Sequence, residues 1–239
     1  MTPILVGVWF PFAEAWHSVF AAWGLWLSID GLAEACRRPS LLGDQTEAAV
    51  WGVVISIFGW AGIEQLNEYF PVWASLGFSF NPLAREVAVG LLGGAVVPTV
   101  VSVAAIAAPA TIKPAREAKA TLLRVVGGLI IALVYLIGST MSATTVLPFL
   151  VSGLAMLLAP QHLWPQSARQ VSLLIGAVVW TAFDLLWSQV GPAQRFFVDF
   201  GSPAHLPVVL CVCAFLLVPI YQAVAELLDK TRFDPFRRD

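Results

Sequence analysis

Apolar residues recur along this chain in long, nearly unbroken runs separated by short joints rich in Pro, Gly and charge. A helix needs about twenty such residues to cross a ~30 Å hydrocarbon core. Seven stretches meet that requirement: Glu14–Cys36, Ala48–Phe70, Glu86–Ala108, Ala118–Met141, Thr144–Leu163, Arg169–Val190 and His205–Leu228. The pattern predicts an all-α, polytopic transmembrane helical bundle of about seven spans, forming a single domain over residues 1–239. Residues 1–13, with Trp9, Phe10 and Phe12, form an aromatic lead-in at the interface. The N-terminus lacks a basic signal-peptide region, so the first helix is expected to stay. Residues 71–85 carry Trp73, Phe78 and Phe80 beside Asn81-Pro82 and predict an interfacial or re-entrant loop. Residues 229–239 form a short charged tail.

Composition agrees. The chain of 239 residues is 59% hydrophobic and 12% charged, with a mean hydropathy of +0.81, whereas soluble domains carry about 25% charged residues. Charge also orients the bundle. If seven spans alternate, eleven of the 13 Lys and Arg residues fall on one side, leaving only Arg85 and Arg195 on the other. The positive-inside rule then puts the N-terminus out and the C-terminus in, with the tail cytoplasmic. The bias of Arg over Lys fits a bacterial inner membrane. No basic stripe marks a nucleic-acid partner. Cys36, Cys211 and Cys213 form no metal or disulfide pattern, and no metal or cofactor is expected. With three histidines, His17, His162 and His205, a four-histidine membrane cytochrome is excluded. The last span has no lysine for a retinal Schiff base.

Joints within the spans are visible. Gly93-Gly94 and Gly127-Gly128 permit close helix approach. Pro98, Pro148, Pro207 and Pro219 predict kinks or interruptions. A faint internal similarity accompanies them. The second span reads Trp60-x3-Glu64-x2-Asn67 and the sixth reads Trp180-x3-Asp184-x2-Trp187. Both run in the same direction, which would make spans 1–3 and 5–7 parallel repeats joined by span 4.

The chemistry-bearing candidates lie in these two helices. A carboxylate at the centre of a membrane helix costs roughly 2.5–3.5 kcal/mol on insertion scales, so it is a functional hypothesis by default. At 1.5 Å per residue, Glu64 and Asp184 lie at similar depth, roughly 22–24 Å from the inner ends of their helices. Glu64, Asn67 and Glu68 share a helical face. His17 and His205 begin spans on the same outer side, as does Glu14. Glu64, Asp184 and His17 are therefore the candidate catalytic groups. Trp60, Asn67, Glu68, Trp180, Trp187 and His205 are the candidate substrate-binding groups. Asp30 and Glu34 lie at the inner end of the first span beside Arg37 and Arg38, and read as an interfacial salt-bridge cluster.

The stretch Trp23–Leu42, with Asp30-Gly31-Leu32, followed by Trp60-x3-Glu64-x2-Asn67 and Trp180-x3-Asp184, resembles a bacterial multi-pass membrane family with no assigned activity. Glu64 followed by Tyr69 and Pro71 is similar in placement to the second-span acid of small seven-helix membrane isoprenoid cyclases of the lycopene and meroterpenoid types. That resemblance implies protonation of an apolar polyene by Glu64. In this chain Leu216 and Leu217 stand where the meroterpenoid class has its second acid, so Asp184 would have to supply that carboxyl.

Three functions fit these residues. The first is an acid/base enzyme, of cyclase or isomerase type, acting on an isoprenoid or other lipidic substrate. Glu64 would be its acid, Asp184 its base, and the tryptophans would stabilise a cation. The second is a proton-coupled small-solute transporter. The third is a non-catalytic subunit or assembly factor, wrapped by membrane lipids, by partners of a membrane complex or by further copies of itself.

Overall fold

A computed structural model describes residues 13–69, 73–76, 82–108, 127–130, 153, 167–190, 194–197 and 205–230. Helix α1 (Ala13–Ala35) is followed by a short helix α2 (Leu41–Asp44) and a long helix α3 (Thr46–Tyr69). Strand β1 (Trp73–Leu76) leads to α4 (Pro82–Gly94) and α5 (Val96–Ala107). Helix α6 (Ser167–Val190), strand β2 (Gln194–Phe197) and α7 (His205–Leu227) complete the described elements. The predicted fourth and fifth spans, residues 118–163, lie almost wholly outside the described residues, as do residues 1–12 and the tail beyond 230.

By length and composition, four segments suffice to cross a membrane: Thr46–Glu68, Glu86–Ala107, Gln170–Ser188 and Leu206–Leu227. They coincide with the predicted spans 2, 3, 6 and 7. Helix α1, at 23 residues, has the length of a span. It carries three tryptophans, His17 and Asp30.

Spans 2, 3, 6 and 7 form a closed ring of contacts. Helix α3 packs on α4 and α7, and α6 packs on α5 and α7, while α5 also touches α7. Helix α1 lies against α4 and α5. The core is aliphatic, with Trp60, Trp180 and Tyr221 fully enclosed in it. Outward-facing positions remain apolar, Phe20, Phe58, Leu174, Val178 and Leu186 among them. Exposed apolar faces on helices of this length are what a hydrocarbon solvent requires, whereas water would penalise them.

The third span is interrupted at Ala95, near its middle. Pro98 has no N–H, so the Gly94 carbonyl loses its helical partner. The Ala95 N–H bonds instead to Leu92 O at 3.3 Å, a tighter turn. Neighbouring helices satisfy the groups this frees. Ser56 of α3 donates to Gly93 O at 2.6 Å and accepts from Val97 N at 3.1 Å. Trp23 of α1 donates its indole N–H to Leu91 O at 2.8 Å. Irregular backbone at membrane depth is tolerated where protein re-satisfies it in this way. Gly93 is needed there, because a Cβ would lie 2.2 Å from Trp60 Cβ. The interruption predicted from Pro98 is thus present, and Gly93-Gly94, predicted to permit close approach, lie against Trp60 and Ile57. Pro219, in contrast, sits inside an otherwise continuous α7.

Helices α1 and α7 both end on a residue in the left-handed region, Arg37 (φ 54°) and Asp229 (φ 53°). The next N–H in each case reaches back five residues, Arg38 to Ala33 O at 2.9 Å and Lys230 to Ala225 O at 2.8 Å. Both ends therefore carry the Schellman arrangement that satisfies terminal carbonyls.

Strands β1 and β2 pair antiparallel, Trp73 with Phe197, Ala74 with Phe196, Ser75 with Arg195 and Leu76 with Gln194. This small ribbon was not read from the sequence, which predicted an interfacial or re-entrant loop at 71–85. It joins the connection between spans 2 and 3 to the connection between spans 6 and 7.

Candidate functional site

At the ribbon end of α3, Glu64 is 8% exposed and Asn67 is equally buried. The i, i+3 spacing puts both on the face toward β1. Three bonds tie them to a single residue. Trp73 donates its indole N–H to Glu64 Oε2 at 3.1 Å and its backbone N–H to Asn67 Oδ1 at 3.1 Å. Asn67 Nδ2 donates in turn to Trp73 O at 2.8 Å. The Asn67 carboxamide thus imitates a strand neighbour for Trp73. Trp73 itself is 2% exposed. Glu68, one turn beyond Glu64 on the same face, is exposed.

Asp184 occupies the corresponding place on α6 and is 6% exposed. Next to it runs an aromatic series: Trp180 and Phe183 at 5.7 Å between centroids, then Phe183 and Trp187 stacked at 6.1 Å. Trp187 donates to Ser18 Oγ of α1 at 3.1 Å. Helices α3 and α6 do not pack broadly against each other, because α5 and α7 lie between them.

The predicted site residues therefore divide. Glu64 and Asn67 meet on Trp73, with Trp60 buried one turn below Glu64. Asp184, Trp180 and Trp187 belong to a second cluster on α6. His17 is exposed on α1, and Glu68 faces outward. The side chains of Glu14 and His205 lie outside the described residues. Among the described residues no group of three or more His, Cys, Asp or Glu side chains could hold a metal ion.

Asp30, read from the sequence as part of a salt-bridge cluster, does something else. Its carboxylate is buried and accepts four hydrogen bonds: Ser40 Oγ at 2.8 Å, Leu41 N at 2.7 Å, Leu42 N at 3.0 Å and Ser102 Oγ at 3.0 Å. It caps α2 and fastens it to α1 and α5. Two backbone N–H groups at a helix start are suited to a carboxylate. This knot sits at the end of the bundle opposite the ribbon.

Sequence reasoning missed Trp73, Ser56 and the role of Asp30. A further signal was present. Ahead of each Trp-x3-acid runs a pair of small residues at the same four-residue interval, Gly52 and Ser56 in α3, Ser172 and Gly176 in α6. Val97-Pro98 and Val218-Pro219 follow the two acids at nearly equal separation. Both helices are 24 residues long, and in both the strand begins at the fourth residue after the helix, Tyr69 to Trp73 and Val190 to Gln194.

Some interior polar atoms stand out. Trp26 Nε1, Thr99 Oγ1 and Trp180 Nε1 are buried with no hydrogen-bond partner among the described residues. An unsatisfied buried donor costs about 1–3 kcal/mol, so such atoms often mark a bound water or ligand. Trp26 lies one turn above Asp30 and Thr99 one turn above Ser102, and Asp30 and Ser102 are bonded to each other.

An open apolar groove of about 440 Å³ runs between α6 and α7, lined by Leu174, Val178, Thr181, Leu185, Val208 and Cys211 among others. Neither Glu64 nor Asp184 lines it.

Compared with protein-family models, curated proteins and solved structures, the chain matches none. These comparisons neither support nor weaken the resemblances drawn from the sequence. By the length and composition of its helices, the chain reads as an integral membrane protein.

Proposed function

We propose that the chain is a small proton-coupled carrier of polar solutes, built from two parallel copies of one helix–strand–helix unit, residues 46–107 and 167–227. The observation that supports it best is the register between the units. Glu64 and Asp184 each follow a fully buried Trp and a pair of small residues at the same interval, and each helix then turns into one strand of the shared ribbon. An antiparallel pair has a local two-fold axis through a facing pair of residues, and one at Ser75 and Arg195 would exchange positions spaced in sequence as Glu64 and Asp184 are. Parallel repeats about an axis along the membrane normal, acids within the spans and a helix broken near its middle are features of secondary transporters. Buried donors without a partner among the described residues, on α1, α5 and α6, suit an interior that accepts polar groups.

The test is solute-driven proton movement in proteoliposomes containing a trapped pH-sensitive dye, screened with amines, amides, sugars and organic acids. Wild-type protein should acidify or alkalinise the lumen with at least one solute class above empty liposomes. Glu64→Gln should not, although its amide oxygen can still accept from Trp73. A wild-type signal equal to that of empty liposomes for every class would remove the carrier reading.

One observation favours a second reading, an enzyme on a lipidic substrate. The groove between α6 and α7 is apolar and falls within the size range of ligand pockets, about 300–1,000 Å³. Thr181 on its wall is three residues from Asp184. A product formed from membrane lipid extract by the wild type and not by Asp184→Asn would support it.

A further inference from the structure

Glu68 and Glu64 lie one turn apart on the same face of α3, yet Glu68 is exposed and Glu64 is enclosed. The boundary between the exposed surface and the enclosed interior therefore falls within a single helical turn, about 5.4 Å. Trp73 is the side chain that Glu64 and Asn67 hold at that boundary. Among its bonds to α3 are one from its indole and two to a carboxamide. Burial of Trp73 in the apolar core and the ladder to β2, which belongs to the other unit, add to the hold on β1.

We infer that Trp73 is a removable plug over a polar binding site formed by Glu64 and Asn67, and that a solute reaches the carboxylate only when the ribbon lifts from α3. The plug shows the chemistry the site accepts. Glu64 receives an N–H from an aromatic amine-like group, and Asn67 receives one N–H and offers another to a carbonyl. A solute that displaces Trp73 carries N–H donors, as an ammonium or amide does, and an acceptor about one helical turn away. The knot at Asp30 is built differently. It gathers four donors, two of them backbone N–H groups of one short helix, and has no single residue whose departure would open it. The inference rests on the carrier reading for what passes the plug, but not for the plug itself.

The test separates the two. In full-length protein in liposomes, with Cys36, Cys211 and Cys213 replaced by Ala, Ser75→Cys and Arg195→Cys place a disulfide across paired positions of the ribbon. A water-soluble carbodiimide with a small amine then labels exposed carboxyls, and mass spectrometry reads Glu64 and Glu68 separately. Glu64 should label about tenfold more slowly with the disulfide formed than after its reduction, since locking the ribbon removes the local opening. Glu68 should label equally in both. In Trp73→Ala, and in the milder Asn67→Ala, Glu64 should label faster than in the parent. A Glu64 rate unchanged by the lock and by both substitutions would overturn the plug. Gated labelling without solute flux would leave the plug standing and remove the carrier. Flux with ungated labelling would do the reverse.

Discussion

The units 46–107 and 167–227 share a frame and differ in what fills it. At the position of Ser56 in the first unit stands Gly176 in the second. Ser56 splices the broken third span with two hydrogen bonds. Gly176 bears on the same span from the other side, so closely that a Cβ would lie 2.3 Å from the Val100 carbonyl oxygen. At the position of Asn67 stands Trp187. Asn67 holds its own strand, while Trp187 reaches α1 through Ser18. Small residues, a buried Trp and an acid keep the two helices alike where they pack. The residue one turn beyond the acid decides what each helix holds. In the proposed repeat the two halves keep one pattern of small residues, Trp and acid, while one closes the ribbon end and the other anchors α1.

The comparison can be broken most severely at Gly176. Gly176→Ala forces backbone against side chain where α5 and α6 cross, and should destabilise by about 3 kcal/mol, read as a fall in the thermal unfolding midpoint in detergent. Ser56→Ala should cost less, about 1–3 kcal/mol, because it orphans Gly93 O and Val97 N without a clash. Restoring the hydroxyl with Ser56→Thr should recover part of the loss. If Ser56→Ala costs nothing, the splice is not holding the break. Gly59→Ala offers the mildest test. Its Cβ would meet only the Leu217 side-chain tip, at 2.7 Å. A flexible side chain can move aside, so the cost should stay under about 1 kcal/mol. A loss as large as that of Gly176→Ala would mean that α3 and α7 pack as rigidly as α5 and α6.

Much of this frame was legible in the chain. The bounds of α3, α6 and α7 lie within two residues of the spans read from hydropathy, because an unbroken apolar run of that length has few other stable outcomes. The break in the third span followed from Pro98. The site was less legible. Glu64 and Asn67 were singled out, but their partner Trp73 lies in a short segment whose strand character depends on β2, more than a hundred residues away in sequence. Such pairing leaves no local periodicity. Asp30 was misread for a similar reason. Its neighbours in sequence, Arg37 and Arg38, suggested ion pairs, whereas its donors come from α2 and from Ser102 of α5. His17 was grouped with the acids by depth alone, and depth does not fix rotation about the helix axis. Its exposure places it on the outside of α1.

The central claim is that Glu64 and Asp184 are equivalent members of one carrier. Solute-driven proton flux in proteoliposomes tests it most directly, with Glu64→Gln, Asp184→Asn and the exchange of both acids, Glu64→Asp with Asp184→Glu, measured side by side. Each neutralised variant should fall to the rate of empty liposomes, and the exchanged protein should retain flux. Wild-type flux in Asp184→Asn, with loss only in Glu64→Gln, would contradict the equivalence.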